Sequence, residues 1–516
     1  MSLKDRLFSK RNIYSAIYCL ESYVFEKGLL DTRETVVNED GRIIANNDLE
    51  LFYALGDKYN HKLIDIVVNL CINRLDNLFS SNDNLFEISV YFKLKSYDSE
   101  GGLKLRPLHT ARLIDMICMV SILMCLMYDD KDRRNLSDLS KLIPHNFYGN
   151  LPSADVQYLF KRWQIQYKQY TQSVIDHCRV YQKNRRFLTE VSLDIQNFFP
   201  SVSPQFLYRY IVDNLISAFS DDDVSFLKMA ITKLLYFKIN QANVEPWLEE
   251  YYNRGDIKLV EDGKYMNCGI PQGLPQSYFF GNLCMIEVRK ILMKDDLFKG
   301  DAYFYVDDSV IYIHLALTEE LFADRISALN SQMKELYANS RNPRLDLHDY
   351  IPERYLDFHK QLKYKIQFHE QGKSSFCHID EADNHLGGFE NLARETSMSS
   401  SLYWNMEEID DTVSTKKLKA ICAVVDKEIK RLKAKEAEDK DKGLTEKDAS
   451  RLKMLKRFKK FYLYRIRMLK MKTEEASVDD IFNDFSNRFF TERLTIEGLV
   501  PWFEENEEEI FQSEYR

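Results

Sequence analysis

Apolar residues recur at helical spacing through the first eighty positions, as Ile13, Ile17 and Leu20 and then as Leu63, Ile66, Val67 and Leu70. This period predicts an N-terminal helical region over 1–85. From Tyr91 to Leu105 the pattern shortens, and β-branched and aromatic residues alternate around Gly101-Gly102, which predicts a hairpin. A long apolar helix is expected to follow through Leu126. A second long helix, over 155–187, carries Phe160, Trp163, Tyr167 and Tyr170 among Lys161, Arg162 and Lys168, and ends in Lys183, Arg185 and Arg186. Its aromatic face is read as core and its basic face as solvated or near phosphate. Short strand-like runs at 188–195, 263–270, 302–313, 363–369 and 374–379 alternate with helical stretches. That order predicts a sheet covered by helices on one side, an α+β layout. Beyond about 415 only helical periods remain. Leu418, Ile421, Val425, Ile429 and Leu432 form one stripe, and Leu452, Leu455, Phe458, Tyr462, Ile466 and Leu469 another, joined through the turn-like Asp439 to Gly443.

Length and composition change this picture in five respects. A chain of 516 residues is too long for one typical domain, so two or three packed units are expected. The 32 Phe and 31 Tyr can serve packing or base stacking, and number alone does not separate the two. The formal net charge of -9 argues against a protein that coats long nucleic acid, so any grip on a polynucleotide must be local. The tail offers such a place: residues 416–472 hold 21 Lys and Arg against 8 Asp and Glu, a net of +13, whereas 474–516 hold 3 against 13, a net of -10. The basic span reads either as a solvated helix face or as an electrostatic footprint for RNA or DNA. The nine cysteines include no Cys-x-x-Cys pair and no zinc-like His spacing, as free thiols of a reducing cytosol would. Met1 to Lys10 lacks an apolar signal core, and the longest apolar stretch, Met116 to Met127, is too short to cross a bilayer, so a soluble cytoplasmic protein is expected.

Two settings of acidic residues call for chemistry. Tyr303 to Tyr312 is aromatic and β-branched except for Asp307 and Asp308 at its centre. A hairpin with a tight turn there would carry both carboxylates to an exposed tip. Val191-Ser192-Leu193-Asp194-Ile195 is a buried-strand pattern interrupted by one carboxylate. Burying that charge unpaired is costly, and pairing it with Asp307 or Asp308 alone is worse, so a cation is the simplest remedy. Magnesium accepts hard oxygen ligands and leaves room for substrate phosphates, and two such ions suit phosphoryl transfer.

At this point the chain resembles the reverse transcriptases. Asp194-Ile195-Gln196-Asn197-Phe198-Phe199-Pro200-Ser201-Val202 is similar to their first palm motif, Tyr305-Val306-Asp307-Asp308 to their YxDD motif, and Gly269 to Ser277 to the PQG segment beneath the incoming nucleotide. The resemblance spans roughly 90–390 and implies an RNA-directed or template-independent DNA polymerase. It implies right-hand-like fingers and palm over 86–395 and an all-helical, thumb-replacing or helical-repeat C-terminal domain over 396–516. Asp194, Asp307, Asp308 and Ile195 would hold two Mg2+, for which Mn2+ may substitute. Gln272, Gly273 and Tyr305 would meet substrate, and Phe199, five residues after Asp194, would exclude a ribose 2′-hydroxyl. Lys104-Leu105-Arg106-Pro107-Leu108 resembles the fingers motif that meets the triphosphate. Gly372-Lys373-Ser374-Ser375 resembles the motif whose lysine protonates pyrophosphate, with Lys365 as the rival. His385-Leu386-Gly387-Gly388-Phe389 resembles a primer-grip hairpin.

Nothing in the sequence looks like an RNase H, integrase or HNH nuclease domain. Asn146 to Ser153, followed by Leu159 to Trp163, is similar to prokaryotic abortive-infection and defence-associated reverse transcriptases. That likeness implies anti-phage defence, homo-oligomers, and in some cases DNA synthesis primed from a protein hydroxyl, for which Tyr515, Tyr14, Tyr18 and Tyr23 are candidates. The expected partners are deoxynucleoside triphosphates, RNA and product DNA, without a membrane. A retron-like enzyme that copies a dedicated noncoding RNA is the alternative, and a non-catalytic polymerase-fold scaffold or toxin is a third reading.

Overall fold

The computed structural model describes residues 2–379 except 26, 58, 98–102, 130–134, 242–256, 260–264, 338–345 and 371–372, then 415–438 and the single residues 449, 452, 455, 456 and 459. The primer-grip-like segment, Tyr515, most of the basic span and the acidic end lie outside them.

The N-terminal helices start where capping side chains allow. Ser9 accepts from Asn12 N–H at the head of α1 (Lys10–Tyr18), Asn47 caps α2 (Asp48–Gly56), and Asn60 caps α3 (His61–Ser80). Between α1 and α2 a small antiparallel ribbon, β1 (Val36–Val37) with β2 (Ile43–Ala45), interrupts the expected all-helical region. It closes through Gly41 at φ 76°, a conformation glycine adopts at little cost.

Next come β3 (Phe86–Tyr97) and β4 (Leu103–Ala111), which pair antiparallel, with β6 (Phe237–Ile239) added parallel to β3. Helix α4 (Leu113–Met127) follows and is buried along almost its whole length. Its start is held by Asp48, which is itself buried and accepts from Arg112 Nε at 2.8 Å and Leu113 N–H at 2.9 Å. One turn on, Asp115 takes Arg74 Nε at 2.6 Å. Unpartnered, either carboxylate would be costly inside this core.

The second long helix, α5 (Trp163–Asn184), begins eight residues later than expected from 155. The preceding segment finds other partners for its backbone: Leu151 N–H donates to Gln166 Oε1 at 3.0 Å, Gln166 Nε2 donates to Lys161 O at 2.6 Å, and Pro152 bridges to Phe160.

The larger sheet comprises β5 (Thr189–Leu193), β7 (Asp301–Tyr305), β8 (Asp308–Ile313) and β9 (Ser375–His378), in the order β9-β5-β8-β7 and antiparallel throughout. Residues 146–148 extend it beside β7, through Phe147 bridged parallel to Phe304. Alternation along the strands separates two faces. Val191, Leu193, Ala302, Phe304, Ile311 and Ile313 join the main core with α6 (Pro204–Leu215), α7 (Asp221–Leu235) and α8 (Pro275–Leu292). Tyr303, Val310 and Tyr312 face α5, whose Tyr167, Tyr170, Val174 and Tyr181 complete a second cluster. Helices therefore cover both faces, not the one expected.

The run 363–369 is not a strand. Asn330 of α9 (Glu319–Met333) takes both backbone groups of Phe368, at 2.7 and 3.2 Å, and leaves only a bridge from Phe368 to Ile195. In α10 (Thr415–Glu438), Val425, Ile429 and Leu432 are buried, as are Leu452 and Leu455 of the second predicted stripe, and Asp426 meets Lys459 at 2.9 Å. The molecule is a mixed α+β protein. Among the described residues no helix is long and apolar enough to cross a membrane.

Candidate active site

Register brings the first two acidic settings together. Leu193 of β5 lies opposite Ser309 of β8. Continued by one residue, the same register sets Asp194 across from Asp308. Cross-strand neighbours of this kind have Cβ atoms about 5 Å apart, and like charges there repel. β7 and β8 are joined by the two-residue turn Val306-Asp307, with Tyr305 paired to Asp308. Of the two turn residues only Val306 has positive φ, 57°, as in the type II′ turns that suit strand twist. For a β-branched residue that conformation costs on the order of 1–3 kcal/mol.

The aspartates are half-buried and not at an exposed tip. Burial first, and the Asp194 charge second, push the Asp307 carboxyl up to about 6, against the opposing pull of Arg106 and Lys373. Asp194 is bound from three directions. Its N–H donates to Ser374 Oγ at 3.3 Å, its carbonyl accepts from His369 N–H at 2.9 Å, and its carboxylate lies 3.2 Å from His369 Nε2. Lys373 Nζ reaches the two carboxylate oxygens at 3.2 and 3.3 Å. Lys365, the rival, is exposed on the irregular 363–367 segment.

Asp308 looks toward α5. Burial foremost, and the Asp308 charge next, raise the hydroxyl pKa of Tyr167 and Tyr170. Tyr305 packs between the same two rings, with centroids 5.0 and 5.6 Å away. A side chain expected to meet substrate is thus covered by the helix.

The PQG-like loop docks on β4. Gln272 O accepts from His109 N–H at 2.7 Å and lies 3.1 Å from His109 Nδ1. Burial pushes His109 down to about 4, so the ring is neutral near pH 7. Gly273 has φ 110°, and a Cβ there would stand 2.6 Å from His109 O. Arg106 lies three residues before His109 on β4. Lys104 is a β4 residue opposite Ser96, and its side chain lies outside the described residues. Phe198 and Phe199 are both buried. Phe199 meets Tyr278 edge-on at 5.9 Å, and its carbonyl accepts from Ile270 N–H at 3.0 Å. Ile195 is buried too, so only its carbonyl could serve as a ligand.

Among the described residues no group of three or more His, Cys, Asp or Glu side chains gathers as a ready metal cage. The arrangement is instead two carboxylates, Asp194 and Asp307, that repel each other, with Asp308 next to them on the side of α5. Magnesium is commonly held by one or two carboxylates plus substrate phosphates, so this donor set fits it. His369 and His109 have no signal in the sequence, whereas Tyr167 and Tyr170 lie in the core as their helix face predicts and in addition enclose Tyr305. The hydroxyls proposed for priming are engaged elsewhere in two cases: Tyr14 donates to Asp65 at 2.6 Å, and the buried Tyr23 donates to Ala16 O at 3.1 Å. Tyr18 is 43% exposed.

No protein-family model matches the chain, and no curated protein matches it. Among solved structures the chain is similar to a Sicinivirus 3Dpol RNA-dependent RNA polymerase, with TM-score 0.29 and 12% identity over 57% of this chain and 49% of that one. The chain spans about half the length of that polymerase.

Proposed function

We propose that this chain is a DNA polymerase of the reverse-transcriptase kind, joining deoxynucleotides by two-metal phosphoryl transfer. One observation carries the reading. The register that sets Leu193 opposite Ser309 brings Asp194, at the end of β5, beside the β7–β8 turn that carries Asp307, with Lys373 Nζ 3.2 Å from the Asp194 carboxylate; burial and the charge of Asp194 together raise the Asp307 carboxyl. The motifs around them support it: Asp194 opens the first palm-like motif, Asp307 and Asp308 close YxDD, and the PQG-like loop packs on the strand that carries Arg106.

On this reading Asp194 and Asp307 hold the metals, with Asp308 and the Ile195 carbonyl completing the set. Magnesium bound there would activate an attacking hydroxyl and neutralise charge on the leaving pyrophosphate. The chain's own residues do the remainder. Lys104 and Arg106 receive the triphosphate, for which the guanidinium fork is suited. Lys373 gives the departing pyrophosphate its proton. Neutral His109 and Gly273 fix the loop under the nucleotide, and Phe199 rejects the ribose 2′-hydroxyl. Residues 86–395 act as fingers and palm, and 396–516 take the place of a thumb.

The finer assignment is to the abortive-infection and defence-associated group, working in anti-phage defence as a homo-oligomer, on RNA or without a template. Its support is the segment Asn146 to Ser153 and the helical C-terminal pattern. The experiment is incubation of the purified chain with each labelled deoxynucleotide and Mg2+, without template or primer, followed by protease. Labelled DNA whose mobility changes on proteolysis supports protein-primed synthesis. Incorporation that needs an added RNA and primer supports templated synthesis, and no incorporation under either condition refutes the polymerase reading.

A further inference from the structure

The chain between α4 and α5 makes an unusually close approach to the Val306-Asp307 turn. Tyr148 N–H donates to Phe304 O at 2.9 Å, Phe304 N–H donates to Asn146 O at 3.0 Å, and Asn146 Nδ2 donates to Ala302 O at 2.6 Å. The Phe147 and Phe304 rings stack at 4.8 Å. Zipped onto β7 in this way, the segment has its next residue, Gly149, directly against Val306. A Cβ on Gly149 would sit 2.7 Å from Val306 Cγ2 and 3.0 Å from Val306 N. Asn150 then turns away at φ 52°. Both carbonyls at this corner are gripped by one side chain of α8: Asn282 Nδ2, 1% exposed, donates to Gly149 O at 2.8 Å and to Asn150 O at 3.2 Å.

We propose that Gly149 and Asn282 are positioning residues for Asp307, wedging Val306 into its positive-φ conformation so that the next carboxylate faces Asp194. The inference rests on the reading of Asp307 as a metal-holding residue. Val306 carries the strained φ in the two-residue turn between β7 and β8, and Gly149 is packed directly against it. The restraint comes from outside, as a backbone with no side chain at the contact and an amide that fixes where that backbone runs. A structural corner with no bearing on the site would tolerate displacement of Val306. A positioning device would transmit it to the adjacent carboxylate.

The test is Mn2+ binding to the full chain, read as loss of the free-ion electron paramagnetic resonance signal, with circular dichroism of each variant as a check on folding. Gly149→Ala is expected to weaken Mn2+ binding about tenfold, the lower end for groups that orient metal ligands. Val306→Gly removes the struck methyl and the φ restriction together, so the double variant is expected to recover to within about threefold of wild type, as coupling between touching residues requires. Asn282→Ala adds no atom and is expected to weaken binding in the same direction, which decides the matter if Gly149→Ala does not fold. Wild-type affinity in both single variants, or no recovery in the double, overturns the inference alone. Wild type that binds Mn2+ no better than Asp307→Asn removes the metal-site reading and this inference with it.

Discussion

Replacing Asp307 by Asn should make the metal-free protein more stable at neutral pH. In the folded state this carboxyl is raised from an ordinary 3.8 to about 6 by burial and by Asp194. A raised carboxyl binds its proton more tightly folded than unfolded, so its contribution to stability falls as pH climbs from about 4 to about 6 and stays low above that. At 1.36 kcal/mol per tenfold the gap corresponds to about 3 kcal/mol. Solvent around a half-buried group trims this to about 1–2 kcal/mol. Asparagine keeps the shape without the charge. In EDTA at pH 7.5, Asp307→Asn should raise the urea midpoint by about 0.5 M, taking a slope near 3 kcal/mol per molar. At pH 4 the advantage should vanish, because wild type is then protonated. Saturating Mg2+ should reverse the order, since only wild type gains from binding it. An advantage equal at both pH values, or none at pH 7.5, would refute the claim that Asp194 and Asp307 repel across a shared space.

Three further outcomes follow from the site. Gly273→Ala, whose new Cβ would stand 2.6 Å from His109 O, should raise KM for deoxynucleotide more than it lowers kcat, measured by steady-state incorporation; an unchanged KM would detach the loop from nucleotide binding. Lys373→Ala should lower kcat by about a hundredfold, the scale of one general acid, and an equal loss in Lys365→Ala with none in Lys373→Ala would transfer the role. Phe199→Val should admit ribonucleotides, read as the ratio of kcat/KM for matched ribo- and deoxynucleotides. Because Phe199 is buried against Tyr278, the same variant should also lose about 1–2 kcal/mol of stability.

Much of the fold was legible wherever one face of an element is apolar. Ile13 and Ile17, Val67, Leu193 and Ile311 all lie in the core, at the faces their spacing marked. The stripe at Val425, Ile429 and Leu432 is buried in the same way. Periodicity was less useful where polar side chains override it. Gln166 unwinds what looked like the first two turns of a helix, and Asn330 takes the backbone of Phe368 out of a strand. Both are single hydrogen-bonding decisions that no apolar pattern records. The second helical cover on the sheet was also hidden, because Tyr167 and Tyr170 read equally well as a face toward any neighbour. In the site, the aspartates stood out as charges inside apolar strands. His369 and Asn282 did not, and Gly149 stood out only as part of the Asn146 to Ser153 likeness, since the roles of all three come from contacts across long stretches of chain, 175 residues in the pairing of Asp194 with His369.

If Asp194 and Asp307 hold catalytic cations, synthesis must fail when either carboxylate is removed. The deciding measurement is incorporation of labelled deoxynucleotide in Mg2+, with and without RNA template and primer, by wild type, Asp194→Asn and Asp307→Asn side by side. DNA is expected from wild type alone, with both variants folded and inert. Synthesis that persists in either variant, or a wild type that makes none under any of these conditions, would contradict it.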